Sequence, residues 1–229
     1  MVIEVIVQNR EDAVTAEAHG ASRLELVSAM TEGGLTPSYG TIKDVVQAVS
    51  IPVHVMVRPH SYSFTYSDDD KRVIIEDVKM CKELGAAGIV FGSLMENGEI
   101  DEAFLEKVIE AANGLKITFH RAIDEARDTI EAYQSLQKYS EHVQTVLTSG
   151  GAPKAFDGID KLQKMLALSK EKPSPAVMPG SGLSHNNMIE LHEILHATEY
   201  HFGSAVRING KFSKPINGNT IEKIKELIN

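Results

Sequence analysis

Eight short runs rich in β-branched residues recur along the chain, and stretches of helical spacing separate them. No other feature constrains the fold as much. The runs cover residues 2–7, 23–27, 53–57, 88–91, 116–120, 145–148, 176–178 and 200–203. Apolar residues three and four apart mark one face of a helix. They recur as Ile42, Val45, Val46 and Val49, as Val73, Ile74, Val78 and Cys81, and as Phe104, Leu105, Val108 and Ile109. Leu162, Met165, Leu166 and Leu168 follow, and Ile221, Ile224, Leu227 and Ile228 close the chain. Strands joined by helical crossovers pair in parallel. In 229 residues, eight such units fit an α/β chain folded as a single (β/α)8 TIM barrel over residues 1–229. An open doubly wound sheet is the alternative. It announces itself with a glycine-rich first turn, and the first turn here, Gln8-Asn9-Arg10, has no glycine.

The punctuation agrees with this division. Thr36 stands before Pro37 as a helix cap, and Ser184 stands before the helix of Met188, Leu191 and Leu195. Gly20, Gly85 and Gly114 each follow a helical stretch, where a left-handed stop is needed. The run Ser67-Asp68-Asp69-Asp70 reads as the cap of the next helix rather than as a metal site.

Composition removes several classes of function. With 32 acidic and 23 basic side chains the formal net charge is −9, which argues against a general nucleic-acid binder. The single Cys81 excludes internal disulfides and a cysteine-rich zinc module. It falls mid-helix and reads as a packing thiol. The opening run is interrupted by Glu4 and lacks a basic flank, so it does not read as a signal peptide. No apolar stretch approaches the roughly 20 residues of a membrane helix. The expectation is a cytoplasmic protein with neither a membrane nor a nucleic-acid partner.

Barrel active sites gather at the C-terminal ends of the strands. Several runs carry polar groups where a core prefers Val, Ile or Leu: Glu4, Arg23 and Glu25, His54 and Arg58, Thr118 and His120, and His201. Alternation groups Glu4 with Ile6, Arg23 with Glu25 and Val27, His54 with Met56 and Arg58, and Thr118 with His120. If these sets face inward, carboxylates, arginines and histidines converge. One reading is a satisfied ion-pair network of Glu4 and Glu25 with Arg23 and Arg58. The other is an active site in which Glu4 or Glu25 is a general base, His120 its proton-transfer partner and Arg58 a further catalytic member at a strand end. Asp124 either orients His120 or caps the following helix.

Glycine-rich loops follow the last strands. Gly180, Ser181 and Gly182 follow the seventh run, and Gly203 and Ser204 follow the eighth. Loops in this position commonly cradle phosphate through backbone amides. Ser149, Gly150 and Gly151 after the sixth run are a further candidate. A small anionic ligand is therefore the expected partner. The loop from Arg58 to Asp70, with Tyr62, Phe64 and Tyr66, is long enough to act as a lid.

These residues carry a resemblance. Glu-Gly-Gly-Leu-Thr-Pro-Ser-Tyr-Gly at 32–40, Ile-Pro-Val-His-Val-Met-Val-Arg-Pro at 51–59 and Tyr-Ser-Asp-Asp at 66–69 are three of its stretches. Leu-Gly-Ala-Ala-Gly-Ile-Val-Phe-Gly at 84–92, Thr-Phe-His-Arg-Ala-Ile-Asp at 118–124, Leu-Thr-Ser-Gly-Gly-Ala at 147–152 and Met-Pro-Gly-Ser-Gly at 178–182 complete it. The chain resembles the copper homeostasis protein CutC family over almost its whole length. The resemblance implies a TIM-type barrel, a cytoplasmic location, a homo-oligomer (dimer or tetramer) and a copper(I) ligand. Family members for which copper binding is argued carry cysteines in the first and second strands. The matching positions here are Ile6 and Val27, and soft copper(I) prefers thiolate or thioether donors. Met56, Met178 and His120 are the remaining donors, and no residue is assigned to a metal. The lid also departs: His60-Ser61-Tyr62 stands where the family often has a basic residue and two glycines.

Three functions stay open at this point. The chain handles copper, or it is a lyase or isomerase acting on a small phosphorylated or carboxylated metabolite, or it is an oligomeric scaffold. Lys116 begins its strand, far from the catalytic end, so Schiff-base chemistry is disfavoured.

Overall fold

A parallel sheet with one apolar face must cover that face with helices. Here the outer face of every strand does so. Leu24, Leu26, Val55, Phe91, Phe119 and Phe202 pack outward against the helix layer in one continuous core. The computed structural model describes residues 1–228. Its strands are β1 (Val2–Val7), β2 (Arg23–Leu26), β3 (Val53–Met56), β4 (Gly88–Phe91), β5 (Lys116–Phe119), β6 (Val143–Thr148), β7 (Ala176–Pro179) and β8 (Glu199–Phe202). The eight parallel strands lie in the order β7-β6-β5-β4-β3-β2-β1-β8, with β7 and β8 side by side at the closing seam. The expected barrel is therefore present.

The helices are α1 (Arg10–Ala18), α2 (Tyr39–Val46), α3 (Asp68–Glu83), α4 (Glu102–Ala112), α5 (Thr129–Gln137), α6 (Ile159–Leu168), α7 (Met188–Leu195) and α8 (Gly218–Ile228). Among the described residues no helix is long and apolar enough to cross a membrane. The spacing argument does not mark α5, because its buried face includes Thr129 and Gln137 beside Ala132, Tyr133 and Leu136.

The caps divide. Ser67 caps α3 through a reciprocal box with Asp70, as its sequence suggests. Gly20, Gly85 and Gly114 do take the left-handed conformation after their helices. Thr36 does not cap α2; Ser38 does, accepting from the Thr41 N–H. The Thr36 hydroxyl instead accepts the Arg58 backbone N–H at 2.9 Å, which ties the end of β3 to the loop before α2. Ser184 does not cap α7 either. Asn187 holds that position and accepts the Ser184 N–H at 2.8 Å, so Ser184 belongs to the preceding turn.

The inner face is unlike the outer one. Its apolar share is a small cluster of Ile6, Val27, Met56 and Val90, lined by Met30 and Phe212, with Leu147 and Met178 apart from it. The rest is polar and buried: Glu4, Arg23, Glu25, His54, Thr118, His120, Thr145 and His201. Two glycines of the β4 segment make room for the imidazoles. A Cβ on Gly88 would lie 2.7 Å from the His54 ring, and one on Gly92 would lie 2.6 Å from His120 Nδ1. Side chains also bridge the seam. Glu199 at the start of β8 accepts from Thr145 of β6 at 3.0 Å and from Arg23 of β2 at 2.7 Å.

Candidate active site

The barrel interior has two polar layers. The lower one is built on Arg23. Its guanidinium donates to Glu4, to Glu199 and, at 3.2 Å, to the Met178 sulfur. Register puts Arg23 and His201 on either side of Glu4. Glu4 is fully buried, yet Arg23 and His201 hold its carboxyl down at about 2 against the opposing effect of burial. It is therefore ionised and can only accept. His201 Nδ1, 2.8 Å from Glu4, must then be the donor, and Nε2 is the atom left to gain or lose a proton. His54 lies beside this layer with Nδ1 3.1 Å from the Thr118 hydroxyl, and burial pushes it down to about 4.

The upper layer faces a cavity of about 290 Å³ at the C-terminal ends of the strands, lined by Glu25, Arg58, His120, Arg121 and His201. Glu25 lies 3.8 Å from His201 Nε2, and its Oε1 has no hydrogen-bond partner among the described residues. Burial, reinforced by the neighbouring Glu4 charge, pushes its carboxyl up to about 7 against the pull of His201 and Arg23.

Arg58 is only 7% exposed. Its terminal nitrogens make two long bonds, each 3.4 Å, to the carbonyls of Glu32 and Ser61; its Nε has no hydrogen-bond partner of good geometry among the described residues, and the buried Tyr66 hydroxyl is near enough to feel its charge. Phe64 covers it, with the guanidinium 4.5 Å from the ring centroid. Among the described residues no carboxylate forms an ion pair with it.

His120 accepts the Ala122 backbone N–H on Nδ1 at 3.1 Å. Burial and Arg58 push its pKa down to about 3, so the ring is neutral with its proton on Nε2. That nitrogen has no acceptor among the described residues. The ring is packed under Phe64, 5.0 Å between centroids. The Arg58–Asp70 loop thus lays Phe64 across two cavity residues, while Tyr62 at its tip is 89% exposed.

The glycine-rich loops separate into two kinds. Ser181, Gly182, Gly203 and Ser204 line the cavity. The N–H groups of Ser181, Gly182 and Leu183 donate to no acceptor among the described residues. Ser181 takes a left-handed φ of 75°, held by its hydroxyl on the Pro153 carbonyl at 2.8 Å. Gly180 lies beneath them; its N–H bonds to the Thr148 carbonyl at 3.0 Å, and a Cβ there would strike Leu147.

The β6 loop already holds an anion, the chain's own Asp124. That carboxylate accepts from the Ser149 and Gly151 amides, the Thr148 and Ser149 hydroxyls and Arg121 Nε, all within 3.1 Å. The Gly150 amide goes to the Thr148 hydroxyl at 2.9 Å. So Ser149, Gly150 and Gly151 form a nest closed by Asp124, which fastens the β5 and β6 loops together. Asp124 forms no hydrogen bond to His120 and caps no helix; it lies within the 3₁₀ turn Arg121–Glu125.

Sequence reasoning named His201 among the polar strand residues without giving it a role, and passed over Glu199. His201 falls at the right alternation on the last run, but its partner Glu4 is 197 positions away. Glu199 lies one residue before that run, so its inward face was not legible.

The donor set does not fit a copper(I) site. Ile6 and Val27 pack together in the inner apolar cluster. Met178 is engaged by Arg23, and Cys81 is buried in α3 outside the barrel with its thiol pushed up to about 12. Met56 and His120 are left on the cavity without a thiolate. Glu4, Glu25 and His201 each bring one donor atom within 4.8 Å of the others. These are oxygen and imidazole donors, and Arg23 already neutralises the Glu4 carboxylate.

Residues 1–206 match the family model described as the CutC family. A protein of Glaesserella parasuis serovar 5 (strain SH0165), named a family protein CutC, is 38% identical over 204 residues, 89% of this chain and 82% of its own length. The human protein named copper homeostasis protein cutC homolog is 39% identical over 200 residues, 87% of this chain and 72% of its own. A crystal structure of CutC from Streptococcus agalactiae is similar with a TM-score of 0.81 at 26% identity, covering 89% of this chain and 98% of that one.

Proposed function

The chain belongs to the CutC family, and from that premise we propose that it is a cytoplasmic enzyme, an isomerase or lyase that removes a proton next to a carbonyl of a small phosphorylated or carboxylated metabolite. The observation that carries this reading is Glu25. It is a buried carboxyl on the cavity, held at about 7 and with one oxygen unpartnered. A general base works best when its pKa lies near the working pH.

The neighbours have complementary roles. The neutral His120 offers an Nε2–H donor to the oxyanion that forms when the proton leaves. His201, oriented by Glu4, exchanges the proton with Glu25 through Nε2. The amides of Ser181–Leu183 hold the substrate's anionic group. A homo-oligomer is the assembly this reading adopts from the family resemblance.

The test is exchange in D2O. The protein is incubated with a panel of small phosphorylated and carboxylated carbonyl compounds, and NMR follows deuterium entering the carbon next to the carbonyl. Enzyme-dependent incorporation that disappears in Glu25→Gln is expected. Incorporation that survives in Glu25→Gln, or none across the panel, would overturn the reading. Copper is tested apart from it. Titrating reduced protein with copper(I) under native mass spectrometry should show no stoichiometric uptake, and a stable one-to-one complex would restore the copper role.

A further inference from the structure

Two opposite walls of the cavity carry polar groups without partners in the chain. Arg58 follows β3, and the Ser181–Leu183 loop follows β7. In an eight-stranded ring these strands stand four apart, on opposite sides of the mouth. Ser204, after β8, lies beside the second wall and lines the same cavity.

Each wall carries its own unsatisfied group. On the first, Arg58 is more than nine-tenths buried, its Nε has no hydrogen-bond partner of good geometry and its charge has no carboxylate opposite it. An uncompensated buried cation is costly, and a ligand anion is what removes that cost. On the second, three successive backbone N–H groups have no acceptor among the described residues. Glu25, His120 and His201 line the space from β2, β5 and β8.

We propose that the ligand of this cavity is a two-ended anion, a short phosphorylated carboxylic acid. Its phosphate sits on the Ser181–Leu183 amides and its carboxylate is held by the terminal nitrogens of Arg58, which turn from their two long carbonyl bonds. This rests on the anion-binding part of the proposed function and narrows its substrate class. The assignment of ends follows the donors. A row of backbone amides suits the three oxygens of a phosphate, whereas the guanidinium edge matches a planar carboxylate. The carbons between the two ends then lie over Glu25 and under the Nε2 donor of His120. A molecule with one anionic end would leave one wall unsatisfied.

The experiment measures binding, so it does not depend on knowing the reaction. Isothermal titration at neutral pH compares inorganic phosphate with 2-phosphoglycolate, 3-phosphoglycerate and 4-phosphoerythronate. The tightest phosphocarboxylate should bind roughly ten- to a hundredfold more tightly than phosphate, as charge-assisted bonds at a second anchor imply. In Arg58→Met that advantage should shrink to no more than about twofold, with inorganic phosphate itself weakened less than the phosphocarboxylate. Arg58→Lys keeps the charge but loses the fork, and should retain part of the advantage. Ser204→Glu, at an exposed position, should weaken every probe.

Circular dichroism establishes that each variant is folded; if Arg58→Met is not, Arg58→Lys and Ser204→Glu decide the matter. If phosphate binds and no phosphocarboxylate binds more tightly, the two-ended ligand is wrong and the anion cavity stands. If no probe binds at about 10 mM, both the two-ended ligand and the anion-binding part of the proposed function fall.

Discussion

Arg23 and Arg58 are both buried arginines on the inner wall of one barrel, and their surroundings are opposite. Arg23 has Glu4 and Glu199 on its guanidinium and the Met178 sulfur beside them. Arg58 has two long carbonyl contacts and an aromatic ring. The two glutamates repeat the contrast. Glu4 is paired and held at about 2, whereas Glu25 has only His201 Nε2 at 3.8 Å and is held at about 7. Within a few ångströms of height the barrel changes from a closed network to an open one. The difference separates charge that is neutralised within the chain from charge that is not.

The largest effect should come from breaking the closed layer. Arg23→Met leaves the fully buried Glu4 and the partly buried Glu199 without the guanidinium, with only His201 still on Glu4, and removing one partner of a buried pair costs about 3–5 kcal/mol. Urea denaturation near neutral pH should show a loss of that size. A loss below about 1 kcal/mol would mean that the lower network does not hold the seam between β7 and β8.

The contrast also shows what the sequence could tell. Alternation along the strands brings Glu4, Arg23, Glu25, His54, Arg58 and His120 to the inner face, and the structure places them there. Period-two patterning is local, so a single strand displays it. Which of these residues pair is not local. Arg23 meets Glu199 across 176 positions, and His201 meets Glu4 across 197. From sequence alone, one network of Glu4 and Glu25 with Arg23 and Arg58 is as reasonable as an active site. The structure divides that set in half. The glycine loops make the same point. Thr148-Ser149-Gly150-Gly151 and Met178-Pro179-Gly180-Ser181-Gly182 look alike in sequence, but only a folded chain shows Asp124 already seated in the first.

A smaller effect, of opposite sign, is expected at Glu25. Its folded pKa of about 7 lies above the ordinary glutamate value of 4.5. The folded state therefore favours the protonated form. That contribution is fully present below about 4.5, falls as pH rises, and is gone above about 7. Glu25→Gln cannot ionise. It should match the wild type at pH 4.5 and exceed it by roughly 2–3 kcal/mol at pH 8.5 in urea unfolding. Glu4 loses its own contribution as pH drops below about 4.5 in both proteins, so it cancels in the difference. A difference that stays flat from pH 4.5 to 8.5 would show Glu25 to be paired in solution, and the open layer would lose its base.

The smallest change in stability should follow from Arg58→Met, and its smallness is the point. The substitution has the same buried setting as Arg23→Met and the same change in chemistry. It leaves no carboxylate unpaired, because none is paired with Arg58 at the start. The methionine stem keeps the contact with Phe64, and thioether against aromatic is a favourable pairing. Removing an uncompensated buried charge relieves desolvation, which offsets the two long carbonyl bonds given up. The net change in urea unfolding should fall within about 1 kcal/mol of the wild type, with stabilisation the expected sign. A loss of 3 kcal/mol or more, as large as that expected for Arg23→Met, would show that Arg58 holds the barrel mouth together. The distinction between the two arginines would then collapse, and with it the ground for reading the upper layer as a site kept open for an anion.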